Sequence, residues 1–239
     1  MKNKIMGHFV LGYPTLERSI EIAVIYQKNG IDILECQFPF SDPSADGALI
    51  SDANQIGARY SNEELFDGLN SLAERINIPI VVMSYITRIH KIGLNSFFKI
   101  CSTIGITEFI IPDLPFDEAI RLKILEEMNE YKCSLIPVIS VNTDFERIRQ
   151  MDKNNFSFYY VMSYYGTTGK TIDLTTELHE FVSKVKAFSK KNIGIGFGIK
   201  TKQQINEISR FADFSIIGSE LIRQSETDLK LTTYIRSLI

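Results

Sequence analysis

The chain has 239 residues, 44% of them hydrophobic, with 26 basic and 29 acidic side chains and a net charge of -3. That length can bury a substantial core, and one domain spanning 1–239 is expected, because no linker rich in Pro, Gly and Ser, charge block or low-complexity tract interrupts it. The balance argues against a nucleic-acid binder, with Lys184, Lys186, Lys190 and Lys191 reading as a solvated helix face, and no apolar run is long enough for a signal segment or a bilayer span, so a cytoplasmic protein is expected.

Short β-rich runs alternate with amphipathic stretches. The first run is Met6 to Val10, after which Thr15 precedes LERSIEIAVIYQKN, a segment ending on Lys28 and Gly30 as a helix should. The second, Ile31 to Glu35, ends in an acid and opens into QFPFSDPSADG. Ser61 and Glu64 then have capping-box spacing, with Leu65, Leu69, Leu72 and Ile76 at helical intervals behind them. The third run is Ile78 to Met83. The fourth, Glu108 to Ile111, leads into Pro112 and Asp113 and a helix from Asp117 to Tyr131. The fifth, Ser134 to Ile139, is followed by a helix over 144–153. The sixth, Phe158 to Met162, leads through Ser163 into YYGTTGKT and a helix over 176–189. The seventh is Ile193 to Phe197, after which Thr201 caps KQQINEISRF. The eighth, Phe214 to Ile217, runs into Gly218 and Ser219. Eight alternations predict a (β/α)8 barrel, with a doubly wound open sheet as the alternative.

Cys36, Cys101 and Cys133 are widely separated, odd in number and set among apolar residues, which fits reduced structural thiols. His8, His90 and His179 are far apart and no HExxH or CxxC occurs, so no metal site is predicted. A nucleophile elbow is also missing.

Glycines in GTTG, GFGIK and IIGSELI follow the sixth, seventh and eighth runs, where backbone N–H groups can approach an anion; each taken singly is also a plain tight turn. GTTGKT is not a nucleotide P-loop, because Tyr164 stands where that pattern needs glycine, and GIGFGI lacks the last glycine of a dinucleotide fingerprint at Ile199. The loops read as a cradle for one phosphate monoester.

A carboxylate at the end of an apolar strand is costly unless paired or protonated, and burial ordinarily raises its pKa. Glu35 therefore reads as a general acid–base, or as one half of a structural salt bridge with a barrel Lys or Arg. Asp46, in a polar loop, is expected to ionise more easily. Taken alone, Asp42 and Asp46 also fit loop and cap chemistry.

ECQFPFSDPSADG closely resembles the second-strand signature of the tryptophan synthase alpha subunit family. FVLGYP, MSYITRI, IIPDLPFDEA, YYVMSYYGTTG, GFGIK and IIGSELI resemble its other strand motifs in order, along nearly the whole chain. The resemblance implies a barrel that cleaves indole-3-glycerol phosphate by a retro-aldol reaction. Glu35 falls at the catalytic proton-shuttling glutamate and Asp46 at the aspartate that accepts the indole N–H. Gly169, Gly198, Gly218 and Ser219 match phosphate ligands, and Tyr160, Phe197, Ile110 and Met83 match the indole slot. Gly166 and Thr168 match a closing loop. Pro39, Asp42 and Pro43 match contacts to a beta subunit in an α2β2 complex; that partner carries pyridoxal phosphate, while the alpha chain needs no cofactor.

Departures from the family pattern are Cys36, Gln37, Ala48, Thr87, His8 in place of an aromatic residue, and Tyr13 in place of an acid. The N-terminal helix that usually covers the barrel bottom is expected to be missing, which should expose apolar surface or leave the bottom to another element. Two further readings are a weakly active or inactive alpha-like activator of a beta partner, and another phosphate-binding barrel such as a sugar-phosphate isomerase.

Overall fold

The computed structural model describes residues 4–114, 118–163, 176–196 and 198–239. In chain order the elements are β1 (Lys4–Val10), α1 (Leu16–Lys28), β2 (Ile33–Gln37), α2 (Ala48–Gly57), α3 (Asn62–Arg75), β3 (Ile80–Met83), α4 (Ile86–Ile92), α5 (Leu94–Thr103), β4 (Glu108–Ile110) and α6 (Glu118–Glu130). They continue with β5 (Ser134–Leu135), β6 (Val138–Ser140), α7 (Phe145–Asp152), β7 (Phe158–Met162), α8 (Thr176–Lys186), β8 (Asn192–Gly196), α9 (Lys202–Ile208), β9 (Phe214–Ile217), α10 (Ser219–Gln224) and α11 (Asp228–Leu238).

The strands are hydrogen-bonded in the order β5-β4-β3-β2-β1-β9-β8-β7-β6, and every pairing is parallel. The two ends of that order are consecutive pieces of the fifth run predicted from sequence. Ile136 N–H donates to Phe109 O on one side at 2.8 Å, and Tyr160 N–H donates to Pro137 O on the other at 3.0 Å. One strand thus turns from one neighbour to the other at Ile136 and Pro137, where proline has no N–H to continue a ladder. This closes an eight-stranded barrel with the helices outside.

Alternation along each strand separates two cores. Met6, Val81, Met83, Ile110, Ile136, Phe158, Tyr160, Phe214 and Ile216 fill the barrel. The intervening Ile5, Phe9, Leu34, Cys36, Val82, Phe109, Tyr159 and Ile195 pack outward against the helices. Near the strand starts, Phe158 and Phe214 stack edge to face with centroids 4.9 Å apart. A Cβ on Gly194 would stand 2.3 Å from the Phe214 ring. The bottom of the barrel is therefore filled from within by two aromatic side chains over a glycine.

The same backbone clamp holds the bottom at two places. Asp32 accepts from Ile5 N–H at 2.9 Å, and Asp213 accepts from Ile193 N–H at 2.7 Å. Helix starts follow the predicted caps. Thr15 accepts from Arg18 N–H, Asp144 from Glu146 and Arg147 N–H, and both Ser61 with Glu64 and Thr201 with Gln204 form complete capping boxes. Helices α2, α4, α5 and α11 are additional to those predicted. All three cysteines are free and buried.

Candidate active site

The C-terminal ends of the strands surround a cavity of about 270 Å³. Its wall includes His8 from β1, Glu35 from β2, Ala45 and Asp46 from the following loop, Met83, Ile110, Tyr160, Gly198, Gly218 and Ser219.

Strand register assembles the polar part. In the β1–β2 pair, His8 lies opposite Glu35 and Val10 opposite Gln37. Because alternate residues share a face, Glu35 and Gln37 both leave β2 on the side of the barrel interior. His8 Nδ1 stands 3.4 Å from Glu35 Oε2, with each side chain only 5% exposed. The structural alternative for Glu35, a Lys or Arg partner, is thus replaced by a histidine.

Asp46 is held from two sides. Its Oδ2 accepts from Gln37 Nε2 at 2.7 Å and from Tyr85 Oη at 2.9 Å, while Ala45 N–H donates to Tyr85 Oη at 3.1 Å. No other hydrogen bond to the carboxylate is found among the described residues, which leaves Oδ1 open. The loop before it is pinned by the buried Asn54 on α2, whose Oδ1 accepts from Phe40 N–H at 3.1 Å and whose Nδ2 donates to Ile50 O at 2.9 Å.

The electrostatics differ from the sequence expectation at Asp46. The residue does not sit in an open polar loop. Burial pushes its carboxyl above the usual range, more than the Gln37 hydrogen bond, the His8 charge and the Tyr85 hydrogen bond bring it down. Its ionised form is sustained by specific donors rather than by water. At His8, burial pulls the imidazole down, but the Glu35 carboxylate, Asp46 and Gln37 together hold its pKa above the ordinary value. The buried Tyr160 phenol is pushed well up by burial and by both carboxylates.

Of the residues singled out from sequence, Glu35, Asp46, Met83, Ile110, Tyr160, Gly198, Gly218 and Ser219 share this one cavity. Gly198 has φ of 82°, a left-handed conformation that suits glycine. Gly166, Thr168, Gly169 and Phe197 lie outside the described residues. In the SDP loop Asp42 is exposed, but Pro39 and Pro43 are buried within the chain itself, and Pro39 packs on Gly57.

His8, Gln37 and Tyr85 acquire contacts with the two acids that sequence reasoning did not assign. The signal was available for two of them: His8 and Gln37 are polar at positions whose strand neighbours are apolar. Among the described residues, no group of three His, Cys, Asp or Glu side chains could hold a metal ion, and no helix is long and apolar enough to cross a membrane.

Fold and site together define a (β/α)8 barrel with paired carboxylates and glycine turns around one cavity at the C-terminal mouth. The family model for the tryptophan synthase alpha chain matches residues 1–236. The tryptophan synthase alpha chain of Dehalococcoides mccartyi is 33% identical over 242 residues, covering 99% of this chain and 94% of that one. A solved structure of tryptophan synthase subunit alpha from Campylobacter jejuni superposes with a TM-score of 0.85 at 29% identity, covering 99% of this chain and 96% of that one. The Saccharomyces cerevisiae protein tryptophan synthase is 33% identical over 226 residues, which are 92% of this chain but 32% of that longer one. The chain belongs to the tryptophan synthase alpha chain family. Its role is that of an alpha subunit in tryptophan biosynthesis, with lyase-type chemistry.

Proposed function

We propose that the chain cleaves indole-3-glycerol phosphate to indole and glyceraldehyde 3-phosphate. The observation that carries this reading is that Glu35 and Asp46 line the same cavity as the Gly198 and Gly218–Ser219 turns and the apolar residues Met83, Ile110 and Tyr160. A flat apolar ring with one N–H, a glycerol chain and a phosphate together match those three kinds of wall.

In this mechanism Met83, Ile110 and Tyr160 flank the indole ring. Asp46 Oδ1 accepts the indole N–H, since Oδ2 is already engaged by Gln37 and Tyr85. Glu35 delivers a proton to indole C3, which puts positive charge on the ring nitrogen beside the Asp46 carboxylate. Glu35 then takes the proton of the glycerol hydroxyl next to the ring as the bond from C3 to that carbon breaks. The electron pair of the broken bond restores the aromatic indole, and the carbinol carbon becomes the aldehyde. Glu35 ends with the proton it began with. The phosphate is held by Gly198, Gly218 and Ser219.

The chain needs no cofactor for these steps. It acts in the cytoplasm beside a beta subunit that carries pyridoxal phosphate and takes up the indole, in an α2β2 assembly. That this chain matches only 32% of the longer Saccharomyces cerevisiae protein named tryptophan synthase supports the fold working beside a further polypeptide unit. The exposed Asp42 makes the direct contact, while the buried Pro39 and Pro43 shape the loop that presents it.

The test is indole release from indole-3-glycerol phosphate by the pure chain, alone and with a beta subunit. Glu35→Gln and Asp46→Asn should each lower kcat by about 10²- to 10⁴-fold, the range for losing general acid–base or charge stabilisation. Wild-type turnover untouched by both changes would remove this mechanism. Beta-subunit activation without any indole formation would establish the activator reading instead.

A further inference from the structure

The contacts of Glu35 and Asp46 lead toward each other through two residues that the proposed reaction does not use. His8 Nδ1 faces Glu35 Oε2 at 3.4 Å. Gln37 Nε2 donates to Asp46 Oδ2 at 2.7 Å, which fixes the amide orientation and leaves Gln37 Oε1 as an acceptor. That Oε1 and His8 Nε2 are both buried and both lack a hydrogen-bond partner among the described residues. Gln37 favours the protonated imidazole, so the two unpartnered atoms are complementary, a donor and an acceptor. His8 Nδ1 thus has a carboxylate oxygen as its neighbour, an arrangement that suits the imidazolium form.

We propose that Glu35 and His8 share a proton as one acid–base unit, and that His8 and Gln37 form a positioning bridge between the two carboxylates of the site. The kinetic part rests on the function proposed above; the shared proton does not.

Among the described residues, no Lys or Arg competes for the two carboxylates. From β2 and its loop, His8 meets Glu35, Gln37 and Asp46. From the β9 side it meets the Gly218 turn, where a Cβ would stand 3.7 Å from His8 Cβ, and uncharged Ser219. From α1, Tyr26 Oη donates to the His8 backbone carbonyl at 3.2 Å. Tyr160 on β7 faces the same carboxylates. Among the described residues, the ion pairs include none between a Lys or Arg and Glu35 or Asp46. Removing Glu35's charge therefore leaves burial as the main influence on the imidazole.

The chain has three histidines, and His90 and His179 are exposed, so NMR titration of the imidazoles in the free protein resolves the question without substrate. Wild-type His8 should titrate at higher pH than the other two. In Glu35→Gln it should fall below both, and Asp46→Asn should move it down by a smaller step. Co-titration of His8 with the exposed pair, or no movement in Glu35→Gln, would overturn the shared proton. In the kinetic arm, His8→Phe and His8→Asn should shift the basic limb of the kcat/KM profile for indole formation to lower pH. A carboxyl alone gives up its proton sooner than a paired imidazolium. An unshifted limb in a folded variant would overturn the bridge's role in positioning. If the wild type forms no indole, the reaction proposed above fails while the titration still decides the pair.

Discussion

Gln37 and Asp46, nine residues apart, are joined by a 2.7 Å hydrogen bond from the Gln37 amide to Asp46 Oδ2. The bond needs the long side chain at a strand position facing the barrel interior, and it holds a half-buried carboxylate whose own burial works against its charge. One departure from the family signature thereby supports a residue inside that signature.

Replacing Gln37 with leucine keeps the bulk and removes the donor. The Asp46 pKa should rise further, because the Gln37 hydrogen bond opposes the burial that already raises it. Under the proposed mechanism, which requires the ionised aspartate, the acidic limb of the kcat profile for indole formation should move to higher pH. At mildly acidic pH the rate should fall about tenfold, the equivalent of roughly 1.5 kcal/mol for one lost hydrogen bond to a charged group. An acidic limb that stays in place in pH-dependent kinetics would show that Gln37 does not tune Asp46.

Asp46 also sets a trade between stability and chemistry. Its folded pKa lies above the unfolded value, so the native state binds the proton more tightly and the carboxylate costs stability. That cost is absent well below the unfolded pKa, appears as pH rises from the unfolded to the folded value, and is complete above it. Asp46→Asn should lose catalysis yet be no less stable than the wild type at pH 7. Urea unfolding across a pH series should show the wild type losing ground to the variant as pH rises through that window. A variant markedly less stable at neutral pH would contradict it.

Gly194 is a packing requirement of the barrel interior. A Cβ there would stand 2.3 Å from Cε2 of Phe214 and 2.5 Å from its Cζ, and that ring is fixed against Phe158. Gly194→Ala should destabilise the chain by about 1–3 kcal/mol through overpacking. Combining it with Phe214→Leu should cost less than the sum of the two single changes, because the clash is shared. Additive losses in a double-mutant cycle by denaturant unfolding would refute the contact.

The alternation of strands and helices, the caps at Thr15, Ser61, Asp144 and Thr201, and the gathering of acids and glycines at strand ends were legible from sequence because each depends on spacing within a few residues. The two carboxylates were legible for a similar reason, as charged groups breaking an apolar pattern. The division of the fifth strand was not. It arises because Ile136 bonds one neighbour and Pro137 the other, and both neighbours come from elsewhere in the chain.

The environment of each acid was equally out of reach of the sequence. His8 and Glu35 are 27 positions apart and meet only through the register of β1 on β2. Asp46 reads as a loop residue in the sequence, but Gln37 and Tyr85 hold it half-buried at the cavity wall. Pro39 and Pro43 look like presented loop residues until the same packing buries them and leaves Asp42 outside. The sequence by itself determined which residue types lie at the mouth of the barrel. Tertiary structure decided their partners and their proton affinities, since burial and charge pairing are set by side chains brought together from distant strands.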